Sequence, residues 1–183
     1  MAGKKKKRRA YLDDFKVNEE GKYDYTGTVY QYEADEDPEN ELRRELLKLW
    51  GLGMVLMSSL IGAGCISAPG MDNCIYVLLP YAAALIAGIS VFWAFCRLTS
   101  GRNPLKEYVY EASVGKLPGR TVMTIFCVVM DIVGEIVYIC FHGIGEKLAG
   151  LFLFAVLNLL AAASAVLMRR RILGMNWKKT GNI

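Results

Sequence analysis

Residues 121–142 read TVMTIFCVVMDIVGEIVYICFH, a stretch long and apolar enough to span a bilayer that nevertheless carries Asp131 and Glu135 inside it. Its eleven Val, Ile and Phe residues contribute roughly −5 kcal/mol to insertion, whereas each acid near the centre costs about 2.5 to 3.5 kcal/mol. The insertion free energy of the isolated stretch is therefore close to zero. We expect its acidic side to face other helices or a water-filled cavity. An ionisable residue inside a membrane span indicates a functional site by default.

The polar residues of this stretch fall in one stripe, because positions three, four and seven apart share a face of a helix. The stripe contains Thr124, Asp131, Glu135, Tyr138 and His142, with Cys127 beside it. Two carboxylates one turn apart repel when both are ionised, and burial disfavours the charged form of each. We therefore expect at least one of the pair to be protonated at neutral pH.

Three further apolar segments accompany this one and predict an all-α integral membrane protein built as a four-helix transmembrane bundle. The expected spans are residues 47–66, 75–96, 121–142 and 148–168. The chain, which is 54% hydrophobic, then divides into a tail of residues 1–45, a membrane region of residues 46–168 and a basic tail of residues 169–183. Small residues four apart, such as Ala84 and Gly88, favour close packing of the helices.

The first tail carries a strand pattern in residues 11–33. Phe15 and Val17, the two tyrosines at 23 and 25, and the run from Val29 to Tyr32 alternate as short strands do, with turn residues between them. We predict a tyrosine-rich β-hairpin or meander that docks on the membrane surface, on the chain's own loops or on a partner strand. The alternative is a mostly disordered tail. Asp37 and Pro38 then begin a helix, and residues 105–116 predict a short surface helix.

Basic residues set the expected orientation. A run at the start of the chain is suited to binding anionic headgroups or to enforcing topology alone, and it comprises Lys4, Lys5, Lys6, Lys7, Arg8 and Arg9. The two tails and the second loop carry nearly all Lys and Arg, so the positive-inside rule places both termini in the cytoplasm. We expect a bacterial cytoplasmic membrane from the compact loops. The net charge of +4 combines basic and acidic blocks and indicates no specific nucleic-acid partner.

Cofactor and enzyme motifs are absent from the sequence. The five cysteines show no CxxC spacing and accompany one histidine, so we expect no metal site and no cofactor. His142 lies about 10 Å along a helix from Glu135, too far for one shared metal ion. Because HExxH, nucleophile-elbow and phosphate-loop motifs are also missing, we do not expect an enzyme. The sequence leaves open whether Cys65 and Cys74 form a disulfide.

Two functions fit this pattern. The favoured one is an accessory or assembly subunit of a larger membrane complex, in which the polar face of the third helix pairs with another membrane protein. The alternative is a proton- or cation-coupled transporter or channel subunit that uses Asp131 and Glu135 and works as an oligomer. In that case Tyr138 and His142 extend the row of polar side chains outward. Asn158 of the fourth helix and Ser58 or Ser59 of the first complete the coordination shell of the ion. The expected partners are the lipid bilayer and either further copies of the chain or another membrane protein.

Overall fold

The computed structural model describes residues 15–17, 21–34, 37–101, 103–143 and 148–180. Four of its helices are long and apolar enough to cross a membrane, which confirms the expected number of spans. They are α1 (Pro38–Gly64), α3 (Ile75–Ser100), α5 (Leu117–His142) and α6 (Leu148–Leu173). The basic run from Lys4 to Arg9 lies outside the described residues.

Shorter elements connect and precede these helices. The strands are β1 (Phe15–Val17), β2 (Tyr23–Tyr25), β3 (Val29–Tyr32), β4 (Leu105–Lys106) and β5 (Trp177–Thr180). The short helices are α2 (Pro69–Asn73), which joins α1 to α3, and α4 (Glu107–Ala112), which lies in the predicted surface-helix segment. We call the five strands and α4 the cap.

Helix α1 begins well before its apolar part. Its 27 residues are about 40 Å long, whereas the hydrocarbon core of a bilayer is about 30 Å thick. The start is fixed as the sequence suggests, because Pro38 occupies the first turn and the Asn40 backbone N–H donates to the Asp37 side chain at 3.2 Å. That bond holds the pKa of Asp37 below its usual value. The first turns of α1 therefore project beyond the bilayer toward the cap.

Small residues let the long helices approach closely. A Cβ added at Gly88 of α3 would lie 2.6 Å from the Leu60 side chain of α1, and one added at Gly134 of α5 would lie 3.1 Å from the Tyr76 carbonyl oxygen of α3. Fully buried side chains fill the space between the helices, among them Leu49, Leu56, Leu117, Val128 and Phe154. Large apolar side chains such as Ile86, Phe126 and Phe152 point outward, as expected for a bundle that is surrounded by lipid.

Three distant segments form one antiparallel sheet in the cap, in the order β4-β3-β5. Val29 pairs with Lys106, and Tyr32 pairs with Trp177. The strand before the first span, the loop after the second and the segment after the fourth therefore lie at the same end of the bundle. The tail prediction is confirmed for the β1–β2 hairpin but is wrong for a meander, because β3 pairs on both edges with other parts of the chain.

Aromatic rings hold the cap together. Tyr30 stacks on Tyr110 with the ring centroids 3.9 Å apart, and Trp177 packs edge-on against Tyr110 and Tyr32. Burial, followed by the nearby carboxylates of Glu107 and Glu111, raises the pKa of Tyr30. The C-terminal segment is thus fixed to the N-terminal one through its strand and its tryptophan.

Candidate functional site

The polar stripe of the third span faces the inside of the bundle. Asp131 is 0% exposed and Glu135 is 3% exposed, so neither carboxylate reaches lipid. Thr121, Thr124 and Cys127 on the same face of α5 are also buried. This is the inward orientation that the energetic cost of the two acids predicts.

Glu135 holds the short helix α2 in place. Its Oε1 accepts a hydrogen bond of 2.9 Å from the Gly70 backbone N–H. Amide groups in the first turn of a helix have no partner within it, and the helix dipole favours a negative charge at that end. A Cβ at Gly70 would lie only 2.5 Å from Glu135 Oε2, so glycine is what allows the carboxylate to rest directly on the backbone.

Asp131 lies beside a polar residue of the fourth span. Asn158 of α6 is 0% exposed, and its side chain faces the Asp131 carboxyl. The Asn158 amide donates to the Phe154 carbonyl oxygen at 3.2 Å and completes no hydrogen bond to Asp131. We call Asp131, Glu135 and Asn158 the carboxylate cluster. Within the described residues, its buried oxygens without a hydrogen-bond partner are Asp131 Oδ1 and Oδ2, Glu135 Oε2 and Asn158 Oδ1.

Three hydroxyl groups inside the bundle donate to backbone carbonyl oxygens. Tyr81 donates to the Leu60 oxygen at 2.8 Å, Thr124 to the Arg120 oxygen at 3.0 Å, and Ser164 to the Leu160 oxygen at 2.8 Å. The cluster therefore has four acceptor oxygens for which the described residues supply no donor. Leaving a buried acceptor unsatisfied costs about 1 to 3 kcal/mol.

Two positively charged species would satisfy such a cluster. A proton on Asp131 turns the carboxyl into a donor that can bond to Asn158 Oδ1. A small cation would instead be coordinated by the carboxylate and amide oxygens, which are hard ligands. Among the residues that the structure describes, no group of three His, Cys, Asp or Glu side chains is placed to hold a metal ion.

The outer residues of the stripe do not join the cluster. His142 is exposed at the end of α5, where its ring stacks on Tyr138 with centroids 4.5 Å apart and its Nδ1 lies 3.2 Å from the Tyr138 carbonyl oxygen. Tyr138 is half-buried. The structure thus brings together Asp131, Glu135 and Asn158, whereas Tyr138 and His142 form a separate pair. Cys65 and Cys74 are both free thiols.

One residue that contacts the site, Gly70, was not predicted from the sequence, because residues 67–74 lie between the first two expected spans. The available signal was the pair Pro69-Gly70, since proline favours the first turn of a helix and glycine permits a close approach. No protein-family model, characterised protein or solved structure matches the chain. The chemistry of the cluster is therefore the basis for a functional proposal.

Proposed function

We propose that the chain is a proton- or cation-coupled transporter or channel subunit in which the carboxylate cluster binds the ion. One observation carries this proposal: four buried oxygen atoms of Asp131, Glu135 and Asn158, on two helices of the bundle, have no hydrogen-bond partner among the described residues. Burying such groups is costly unless a ligand satisfies them. A proton or a small cation is the species that their chemistry favours.

The two carboxylates have different roles in this proposal. Glu135 is fixed by the Gly70 N–H, so its carboxyl group stays in one position beside the site. Asp131 has no fixed partner among the described residues, so it is the group that gains and loses the ion. Helix α2, which rests on Glu135 at the end of the bundle opposite the cap, closes the cluster on that side. Movement of α2 away from α5 would open it.

We place the cap in the cytoplasm of a bacterium, with α2 on the external side. Support comes from the sheet, which gathers the Lys- and Arg-rich segments of the chain at one end of the bundle. The test introduces Thr180→Cys or Asp72→Cys into a chain without its five native cysteines. In intact cells an impermeant thiol reagent should label position 72 and spare position 180, and the reverse result would contradict this orientation.

Flux through purified protein in liposomes tests the transport proposal. Wild-type protein should dissipate an imposed proton or sodium gradient, and Asp131→Asn should abolish that flux. Glu111→Gln is the matched control, because it removes an exposed carboxyl of the cap that lies away from the cluster. Wild-type protein without flux, or equal flux in wild type and Asp131→Asn, would refute the proposal.

A second candidate is an accessory subunit of a larger membrane complex. The contact between Glu135 and Gly70 is compatible with it, because it gives the polar face a role in holding α2 to the bundle without a bound ion. Because Asp131 and Glu135 are enclosed by the chain's own helices, a partner would contact the outer surface unless the bundle opened. Neither candidate involves catalysis.

Gentle detergent extraction separates these two candidates. Tagged wild type is compared with the double variant Asp131→Asn, Glu135→Gln by native mass and by identification of bound proteins. A distinct membrane protein in fixed stoichiometry with wild type supports the accessory function, and its loss from the variant links the contact to the acids. The same homo-oligomer in both samples leaves the carboxylates free for ion binding and supports transport.

A further inference from the structure

A groove runs along the cap end of α3, where the cap meets the bundle. It consists of two adjoining cavities. One, of about 540 Å³, is lined by residues that include Arg97, Leu105, Lys106 and Tyr108. The other, of about 340 Å³, is lined by Trp93, Cys96, Arg97 and Ser100, so Arg97 and Ser100 border both cavities. Each volume lies within the range of about 300 to 1,000 Å³ that is typical of ligand sites.

The groove lies at the level of the membrane surface. Trp93, Arg97 and Ser100 follow one another at helical spacing, so they share a face of α3. Trp93 is 71% exposed on the outside of the bundle, and tryptophan is enriched where hydrocarbon meets headgroups. Arg97 is one turn, about 6 Å, farther toward the cap. The tryptophan therefore adjoins acyl chains, and the arginine reaches the headgroups.

The two cations of the groove, Arg97 and Lys106, are held by aromatic rings rather than by carboxylates. Arg97 Cζ lies 6.0 Å from the centre of the Tyr108 ring, and Lys106 Nζ lies 5.3 Å from the centres of both the Phe15 and Tyr25 rings. Such contacts orient a cation without neutralising it. No acidic side chain lines the groove within the part of the chain that the structure describes.

Some other cations at the same end of the bundle are paired with carboxylates. The ion pairs there join Arg171 to Glu45, Lys178 to Glu33 and Lys179 to Glu107. Arg97 and Lys106 form no ion pair within the described residues, which therefore leave both positive charges of the groove uncompensated. A charged groove beside an apolar helix face matches a ligand that has an anionic head and an apolar tail.

We propose that this groove binds an anionic membrane lipid through its phosphate headgroup. The guanidinium of Arg97 can bond to two phosphate oxygens at once, and the ammonium of Lys106 contributes a second, compact charge. An acyl chain then lies along Trp93 and Cys96. A phosphate held between Arg97 on α3 and Lys106 on β4 braces the cap against the bundle. A soluble phosphate shares the headgroup chemistry but gains nothing from Trp93.

Native mass spectrometry of the full chain in detergent tests this site, with phosphatidylglycerol added in increasing amounts and phosphatidylcholine as the reference lipid. Wild type should retain one phosphatidylglycerol molecule per chain in preference to phosphatidylcholine. The variant Arg97→Gln, Lys106→Gln should bind it at least about tenfold more weakly, because two charge-assisted contacts are lost. The matched control Arg169→Gln, Arg170→Gln removes two exposed charges at the same membrane surface outside the groove and should bind within about twofold of wild type.

Two further measurements identify the source of the phosphate and check folding. Trp93→Ala should weaken phosphatidylglycerol binding several-fold, and inorganic phosphate up to millimolar concentration should not compete. Phosphatidylglycerol should raise the melting temperature of wild type and of the control variant but not that of the groove variant, because a ligand stabilises only the state that binds it. Circular dichroism verifies that all variants are folded before binding is compared.

Three outcomes would overturn the proposal. Equal losses in the groove and control variants would mean that diffuse surface charge attracts the lipid. Equal retention of phosphatidylcholine and phosphatidylglycerol by wild type would remove the role of the anionic head. Competition by inorganic phosphate, together with unchanged binding in Trp93→Ala, would assign the groove to a soluble anion instead of a lipid.

Discussion

Replacing Gly70 by alanine should loosen the contact that holds α2 against α5. The new Cβ would lie 2.5 Å from Glu135 Oε2 and 3.0 Å from Val77 Cγ2, and Glu135 has little room to move because it is buried. Overpacking costs about 1 to 3 kcal/mol, and losing a hydrogen bond to a charged acceptor costs about 1.5 to 3 kcal/mol. Alanine returns up to about 1 kcal/mol of helix propensity. We expect a net loss of about 3 kcal/mol in the free energy of unfolding.

A double-mutant cycle isolates the contact between these two residues. Glu135→Ala alone leaves the Gly70 N–H without an acceptor and should cost about 1 to 3 kcal/mol. In that background the methyl group of Gly70→Ala no longer meets the carboxylate, so the double variant should be more stable than the sum of the single effects by about 1 to 3 kcal/mol. Gly51→Ala is the matched control, because nothing lies within 4 Å of a Cβ at that position.

Unfolding in mixed micelles provides the assay. Helix content is followed by circular dichroism as the fraction of denaturing detergent is raised, and the free energy of unfolding is obtained for each of the five proteins. Gly51→Ala should be neutral or stabilising by up to about 1 kcal/mol. Additivity of the Gly70 and Glu135 changes within about 0.5 kcal/mol would refute the contact, as would a Gly70→Ala protein as stable as the Gly51→Ala control.

Three other predictions follow from the packing and the cap. Gly88→Ala should destabilise the bundle by about 1 to 3 kcal/mol, because its Cβ would lie 2.6 Å from the Leu60 side chain; unchanged stability in the micelle assay would contradict this. Leu56→Ala should cost about 2 to 5 kcal/mol and Leu47→Ala less than about 0.5 kcal/mol, since the first is fully buried and the second is exposed; similar values would argue against the observed helix rotation. Burial raises the pKa of Tyr30 above its unfolded value of about 10, so the contribution of this tyrosine is complete below that pH and is lost as the pH rises through the folded pKa. Tyr30→Phe should therefore keep the cap folded to higher pH in a titration followed by near-ultraviolet circular dichroism, and an unchanged alkaline midpoint would contradict this.

Hydropathy predicted the number of long helices but not where they end. Helix α1 begins at Pro38, as the Asp37-Pro38 pair predicts, nine residues before the expected apolar span, and α6 continues to Leu173, beyond the expected end at residue 168. Hydropathy marks the part of a helix that lies in lipid, whereas backbone hydrogen bonding continues until a cap or a breaker ends it. The Asp37-Pro38 pair was the better guide to the start of α1.

The sequence pattern did not predict which strands pair with one another in the cap. Alternation in the first tail identified β1, β2 and β3, yet β3 pairs with two segments far away in the chain. Strand β4 has only two residues, and the sequence Trp-Lys-Lys-Thr of β5 has no alternation of apolar and polar residues. Such strands form because β3 offers them backbone partners, which is a tertiary effect.

The carboxylate cluster was predictable in part. The helical stripe placed Asp131 and Glu135 on the inner face, because lipid exposure of either would be too costly. The proximity of Asn158 was anticipated from its position in an apolar span. The contact between Glu135 and the Gly70 N–H was not predicted, since the Pro69-Gly70 pair indicates a helix start that permits close approach but not which side chain approaches it. Tyr138 and His142 lie on the same stripe but beyond the point at which neighbouring helices enclose it.

The state of Asp131 is the most direct test of the ion-binding proposal, and labelling with a hydrophobic carbodiimide measures it. This reagent partitions into the membrane and reacts with protonated carboxyl groups. We predict that Asp131 is the main labelled site, that labelling falls as the pH is raised, and that Asp131→Asn abolishes it. Peptide mapping by mass spectrometry identifies the modified residue. Label spread equally over the exposed acids, or unchanged in Asp131→Asn, would contradict a buried, protonated Asp131 and with it the proposed ion site.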